Sequence, residues 1–248
     1  MEEIEDLKKE NEELKMMNEN KSDLVSISAH QIRTSLTAFK WTLKMFSNEE
    51  LGKLNDEQKT YLERIIHTND YTISLVNNLL TLNRLKDIPA NLDLKPINIV
   101  DTINKVLVLF FGESRSKDIT ITFDKPEKDI PPVNCNEEMI IIVLQNIIEN
   151  ALKYSKDNTE IKISLDYNEE DKNISIHVHN NGIGIKEEDH DHIFSKFFRA
   201  DNAKEKDATG SGFGLFATKN IIEKHHGKIW FESNDDKGTT FSIVLPIS

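Results

Sequence analysis

A seven-residue repeat at the start of the chain limits what it can fold into. Ile4, Asn11, Asn18, Val25, Ile32, Phe39 and Phe46 share one heptad position, with Leu7 and Leu14 on the adjoining one. A period of seven kept up over this length is the signature of a helix packing along a seam against other helices. Asn11 and Asn18 lie on that seam. Asparagine at such positions fixes register and favours a two-stranded parallel pair at some cost in stability, so a homodimer is the expected state. The plainer alternative is a solvated helix with no partner.

The repeat breaks at Ser47 to Leu54, and Asn55 with Gln58 offers an N-cap and its capping-box partner for a second helix. Leu62, Ile66, Ile73, Val76 and Leu80 then recur at three- and four-residue intervals. Two amphipathic helices joined by a short loop make a hairpin, and two hairpins dimerise into a four-helix bundle. Pro89 and Pro96 end the helical pattern. The expected division is an entry coiled coil over 1–22, a hairpin over 23–88, a linker over 89–96 and a second domain over 97–248.

That second domain reads as mixed helix and strand. Helices are expected over Asn98 to Ser116, Glu137 to Tyr154 and Gly214 to His226. Strands are expected at 119–123, 160–166, 174–180, 228–232 and 239–245, and a glycine-punctuated stretch runs from Gly182 to Gly214. This order suggests an α+β sandwich with helices on one face of a mixed sheet.

Composition narrows the partners. Among 248 residues, 31 basic side chains stand against 43 acidic ones, for a net charge of −12. Such a balance argues against a phosphate-backbone binder, so no nucleic acid is expected. The longest apolar runs are far short of the ~18 residues of a membrane span. The N-terminus is charged where a signal peptide would be apolar, and the single Cys135 suits a reducing compartment. A soluble cytoplasmic protein, or the soluble part of a larger one, is the expectation.

Chemistry gathers at a few places. His30 sits on the first helix away from the seam, with Thr34 one turn on along the same face. In the second domain Asn146, Asn150, Lys153 and Tyr154 recur at helical spacing and form a polar stripe opposite Ile140, Val143, Leu144 and Ile147. Amide oxygens can ligate a hard cation and an ammonium can reach a phosphate, so the stripe suits a magnesium polyphosphate. Gly210, Gly212 and Gly214 open a helix, where close backbone approach and free N–H groups favour phosphate, although tight turns alone also use such glycines. The cluster is neither a dinucleotide fingerprint nor a Walker-type loop. His177 and His179 share a strand face and could clip a metal, but no third ligand stands at a suitable spacing.

Six segments in order resemble the sensor histidine kinases of bacterial two-component systems. They are HQIRTSLT, NIIENALKYS, HNNGIGI, IFSKFFRA, GSGFGLFATKNIIEKHHGKIWFES and KGTTF, and the likeness runs from about residue 20 to 248. It implies an all-α helical hairpin forming a dimeric four-helix bundle, followed by an α+β sandwich ATP-binding domain of the gyrase and histidine-kinase type. By position, His30 is implied to attack the γ-phosphate of ATP, Asn150 to ligate Mg2+, and Asn146, Lys153 and Tyr154 to line the phosphates and ribose. Arg199 is implied to neutralise the transferring group. Gly182, Gly184, Lys186, Gly210, Gly212, Phe213, Gly214, Leu215 and Thr239 are implied to contact the nucleotide, with Lys186 to Thr209 as a mobile lid. The phosphoryl group is implied to pass to an aspartate of a response regulator receiver domain.

Three positions depart from the commonest family pattern. The acidic residue after the phosphoacceptor is Gln31, the adenine-binding aspartate is Asn180, and the proline of the first box is Ser35. Gln31 can hold the ring tautomer but cannot take a proton, which predicts slow autophosphorylation. Asn180 keeps an acceptor without the charge, and an amide that flips could also serve guanine, which predicts relaxed base selectivity. Ser35 predicts a less kinked first helix. Thr34 keeps the position for orienting water on a phosphorylated partner. A weakened dimeric scaffold, or a phosphatase-biased protein, is therefore the rival to an active kinase. A gyrase-type ATPase is a third reading, disfavoured by the phosphoacceptor hairpin.

Overall fold

The computed structural model describes residues 2–86, 93–126, 128–207, 210–234 and 237–247, and it separates into two compact units, Met1–Asp87 and Ile88–Ser248. In the first unit, α1 (Glu2–Ser47) and α2 (Asp56–Lys86) form a hairpin. α1 runs unbroken through residues 22 and 23, so the backbone changes nothing between entry coiled coil and hairpin. The cap of α2 is reciprocal: Gln58 N–H donates to Asn55 Oδ1 at 2.8 Å, and Asn55 N–H donates to Gln58 Oε1 at 2.9 Å.

The row that α1 presents to α2 differs from the expected seam. Ala29 and Leu36, seven residues apart, pack with Val76 and Leu80. Leu43, seven further on, is also buried. Asn69 Nδ2 donates to Leu36 O at 3.3 Å, and Lys40 pairs with Asp70 at 2.8 Å, so polar links flank the apolar row. Ile32, Phe39 and Phe46 of the expected seam are instead 47%, 52% and 38% exposed. The seam's earlier members Ile4, Leu7, Asn11, Leu14 and Asn18 have side chains outside the described residues.

The second unit holds β1 (Lys95–Ile97), α3 (Ile99–Ser116), β2 (Thr120–Asp124), β3 (Val133–Cys135), α4 (Glu137–Tyr154), β4 (Glu160–Asn168) and β5 (Asn173–Asn180). After it come α5 (Asp201–Lys206), α6 (Gly214–Lys224), β6 (Lys228–Asn234) and β7 (Gly238–Pro246). Five strands pair in the order β2-β4-β5-β7-β6, parallel only between β2 and β4. Alternation along each strand turns Ile161, Ile163, Leu165, Ile174, Ile176, Val178, Ile243 and Leu245 inward. Against them pack Ile140, Val143, Leu144, Ile147, Ile148 and Leu152 of α4, all within 1% exposure. α4 also packs with α3 and α6, so it is the central helix of the layer.

Two short strands escaped the sequence reading. β1 pairs antiparallel with β3, and Pro96 stands opposite Asn134 inside the stretch read as linker. Three-residue strands carry too little alternation to register, and the proline is tolerated because this ribbon has only two strands. Of the linker, residues 89–92 lie outside the described residues.

Candidate active site

The polar stripe of α4 sets the site. α4 is capped by Asn136, whose Oδ1 accepts from Met139 N–H at 3.1 Å. Its own N–H donates to His225 Nε2 at 3.1 Å, and His225 Nδ1 donates to Ile221 O at 2.7 Å. Burial pushes the His225 imidazole pKa down, against a smaller upward pull from the Ile221 carbonyl. This neutral ring ties the start of α4 to the end of α6.

Further along α4, Asn146 Nδ2 donates to Gly214 O at 3.2 Å and to Thr218 Oγ1 at 3.3 Å. A Cβ on Gly214 would lie 3.4 Å from Asn146 Oδ1, so the glycine lets the first turn of α6 close on α4. Asn146 thus holds the glycine-rich helix start in place as well as facing it. Asn150, one turn on, is half-buried, and Lys153 and Tyr154 follow, with the Lys153 ammonium 5.8 Å from the Tyr154 ring centroid.

Two expected phosphate-binding cations meet one carboxylate. Lys153 forms an ion pair with Asp207, and Arg199 Nη2 lies 4.0 Å from the same carboxylate while donating to the backbone carbonyls of Asp207 and Ala203. The side chains are 22%, 18% and 13% exposed for Lys153, Asp207 and Arg199, so the charges are shielded from water. The Arg199 guanidinium would lie 3.0 Å from a Cβ on Gly210. Gly212 has φ +67°, and a Cβ there would come within 2.5 Å of Phe198 O, so this turn requires glycine.

A third group is uncharged. Asn180, 5% exposed, donates through Nδ2 to Ser155 Oγ at 3.4 Å, and Ser155 Oγ donates to Ala151 O at 2.6 Å. Thr239 pairs with Asn180 in register across β5 and β7, and its hydroxyl lies 2.7 Å from Ser233 Oγ. Gly182 is bridged to Ser155, Gly184 O accepts from Asn202 Nδ2 at 3.4 Å, Leu215 is half-buried, and Lys186 is exposed.

Phe213 takes part through its side chain in packing. Its ring is 1% exposed and packs between Phe197 and Phe216, with centroids 6.2 and 5.5 Å away. The side chain is core that seats the start of α6; only the backbone is left for a ligand. Between Lys186 and Thr209, expected as a lid, the chain forms a short 3-10 turn over Glu187–Asp189 and then α5, while residues 208–209 lie outside the described residues.

His30, Gln31 and Thr34 belong to the other unit, on exposed turns of α1. The Thr34 hydroxyl donates to His30 O at 3.0 Å, and Ser35 Oγ donates to Gln31 O at 3.1 Å. Both hydroxyls bond back to their own helix, the usual resting state of such residues in a helix. On β5, His177 Nδ1 is 2.8 Å from Ser242 Oγ and His179 Nδ1 is 2.9 Å from Thr240 Oγ1. Among the described residues no three metal-ligating side chains gather. A divalent cation here would bind through Asn150 together with nucleotide phosphates and water, which is how Mg2+ is commonly held.

Sequence reasoning missed Asp207 and Ser155. Neither carries a local signal, because what matters is which side chains they meet across the fold.

Comparison with known proteins agrees with both units. Residues 20–88 match the His Kinase A (phospho-acceptor) domain, and residues 135–248 match the histidine kinase-, DNA gyrase B- and HSP90-like ATPase family. Sensor histidine kinase WalK of Bacillus subtilis (strain 168) is 30% identical over 234 residues, covering 94% of this chain and 38% of its own. Adaptive-response sensory kinase SasA of Synechocystis sp. is 29% identical over 97% of this chain and 63% of its own. The chain therefore spans less than two thirds of either relative. Among solved structures, the catalytic domain of histidine kinase ThkA is 30% identical with TM-score 0.55, covering 63% of this chain and 97% of that one. Full-length ShkA in complex with AMPPNP shares the fold at 21% identity and TM-score 0.67 over 91% of this chain. With a phosphoacceptor hairpin in one unit and a histidine-kinase-type ATPase sandwich in the other, this chain belongs to the sensor histidine kinases of two-component systems.

Proposed function

We propose that the chain is an ATP-dependent protein histidine kinase that phosphorylates its own His30 and passes the phosphoryl group to an aspartate of a response regulator receiver domain. The observation that carries the reading is the meeting of Lys153 and Arg199 on one shielded carboxylate beside the glycine-rich start of α6. Two partly desolvated cations next to a helix N-terminus suit a terminal phosphate. An imidazole nitrogen lone pair of His30 attacks the γ-phosphorus, the bond to the bridging β,γ oxygen breaks, and ADP leaves. Arg199 and Lys153 offset the charge on the transferring group. Asn150 together with the nucleotide phosphates would hold Mg2+, which would supply further charge neutralisation.

Exposed Ile32 and Phe39 on α1, with Ile65, Leu75 and Leu79 on α2, support dimerisation of the hairpin into a four-helix bundle. No helix among the described residues is long and apolar enough to cross a membrane, and a cytoplasmic location is part of this proposal.

The test is incubation with γ-labelled ATP and magnesium. An acid-labile, alkali-stable label that disappears in His30→Ala is expected. Absence of label at long times would turn the reading to a nucleotide-binding or regulator-binding scaffold.

A further inference from the structure

We infer that Ser155 sets base selectivity at the nucleotide site by holding the Asn180 amide so that its oxygen is the group left to read the base. This rests on the ATP-site reading above.

The site separates by charge. Lys153 and Arg199 take the phosphate end, whereas Asn180 and Ser155 are uncharged and only 5% and 2% exposed, as the edge of a neutral base requires. An asparagine amide offers a donor at one end and an acceptor at the other, and which end faces a ligand follows from its partners. Here the partner is directional. Ser155 Oγ spends its one hydrogen on Ala151 O at 2.6 Å, so towards Asn180 it can only accept, and the amide end it meets is Nδ2. Nδ2 is also the enclosed end. A Cβ added to Gly182 would lie 2.5 Å from Nδ2 and 2.4 Å from Tyr154 O, so the amide nitrogen sits in a corner closed by Gly182 and the end of α4.

Flipping the amide would set Oδ1 against an oxygen whose hydrogen is already committed. Ser155 would have to abandon Ala151 O to accommodate it. The Asn180 amide therefore presents an acceptor, which matches the 6-amino group of adenine and opposes the 6-oxo group of guanine. Free flipping, and with it relaxed base selectivity, is what the bare substitution of aspartate by asparagine predicts. Ser155 removes that freedom and leaves adenine preferred without a carboxylate.

Ser155 acts through Asn180, so it is a positioning residue, and the readout is a ratio rather than an affinity. Calorimetric titration of the full chain with Mg-ATP and Mg-GTP should give wild-type binding at least about tenfold tighter for ATP. Ser155→Ala should lower that ATP-to-GTP ratio by about threefold or more, because the amide can then turn. Adding Asn180→Asp to Ser155→Ala should restore the ratio, since a carboxylate has no donor end to present. Ser155→Cys keeps the volume without a comparable hydroxyl and gives the same loss of ratio if the alanine variant does not fold. Equal wild-type affinities for ATP and GTP, or a ratio unmoved in both Ser155 variants, overturns the inference. Binding of neither nucleotide removes the ATP-site reading itself, and that outcome is distinct from a changed ratio.

Discussion

Asp207 forms an ion pair with Lys153 of α4 while its backbone carbonyl accepts from Arg199, so one acidic residue engages both cations. On the proposed reading of the site, a carboxylate in that place competes with an incoming phosphate for the same charges. Asp207→Asn keeps the shape and removes the charge. It should tighten ATP binding by about threefold to tenfold, one shielded ion pair being worth of the order of 1 kcal/mol here. Titration with a nonhydrolysable ATP analogue measures this, and weaker binding in the variant would show that Asp207 helps to hold the nucleotide.

Gln31 next to His30 can accept a hydrogen bond but cannot take up a proton. Gln31→Glu should raise the initial rate of His30 phosphorylation at saturating ATP by about tenfold or more, within the range that a positioned base contributes. An unchanged rate would place the slow step elsewhere.

Phe39 is 52% exposed on the row that α2 does not cover. Phe39→Glu should shift the sedimentation-equilibrium mass from dimer to monomer. The second unit packs on its own core, so its thermal unfolding should move little.

His225 is 3% exposed and accepts a backbone N–H at Nε2, so protonation would set hydrogen against hydrogen. Its pKa is lowered by burial and by nearby His226, with the Ile221 carbonyl opposing. A group depressed in the folded state takes up its proton more readily when unfolded. The stabilisation is therefore present above the ordinary histidine pKa of about 6.5 and is lost as pH falls below it. The melting temperature should drop between about pH 7 and pH 5, and His225→Asn should flatten that slope.

Some of this was legible from residues alone. α4 showed because apolar Ile140, Val143, Leu144 and Ile147 recur at helical spacing opposite Asn146 and Asn150. The cap of α2 showed because Asn55 and Gln58 act within one turn. The inner row of the hairpin did not, because it includes Ala29, too small to stand out beside Ile32 and Phe39. β1 and β3 were too short to alternate, and the packing of the Phe213 ring between two other rings is not visible from its glycine-rich run. The engagement of Asp207 with Lys153 joins residues far apart in the chain, which no local pattern encodes.

The register match of Asn180 with Thr239 pins both ends of the segment that carries the glycine-rich turns, α5, α6 and β6. With its mouth fixed by the sheet, lengthening a closed segment costs only about 0.6 kcal/mol per doubling. Insertions between β5 and α6 are thus nearly free in folding terms as long as Gly212 and Gly214 keep their seats against Phe198 and Asn146. The length of that stretch can therefore change while the sheet stays the same.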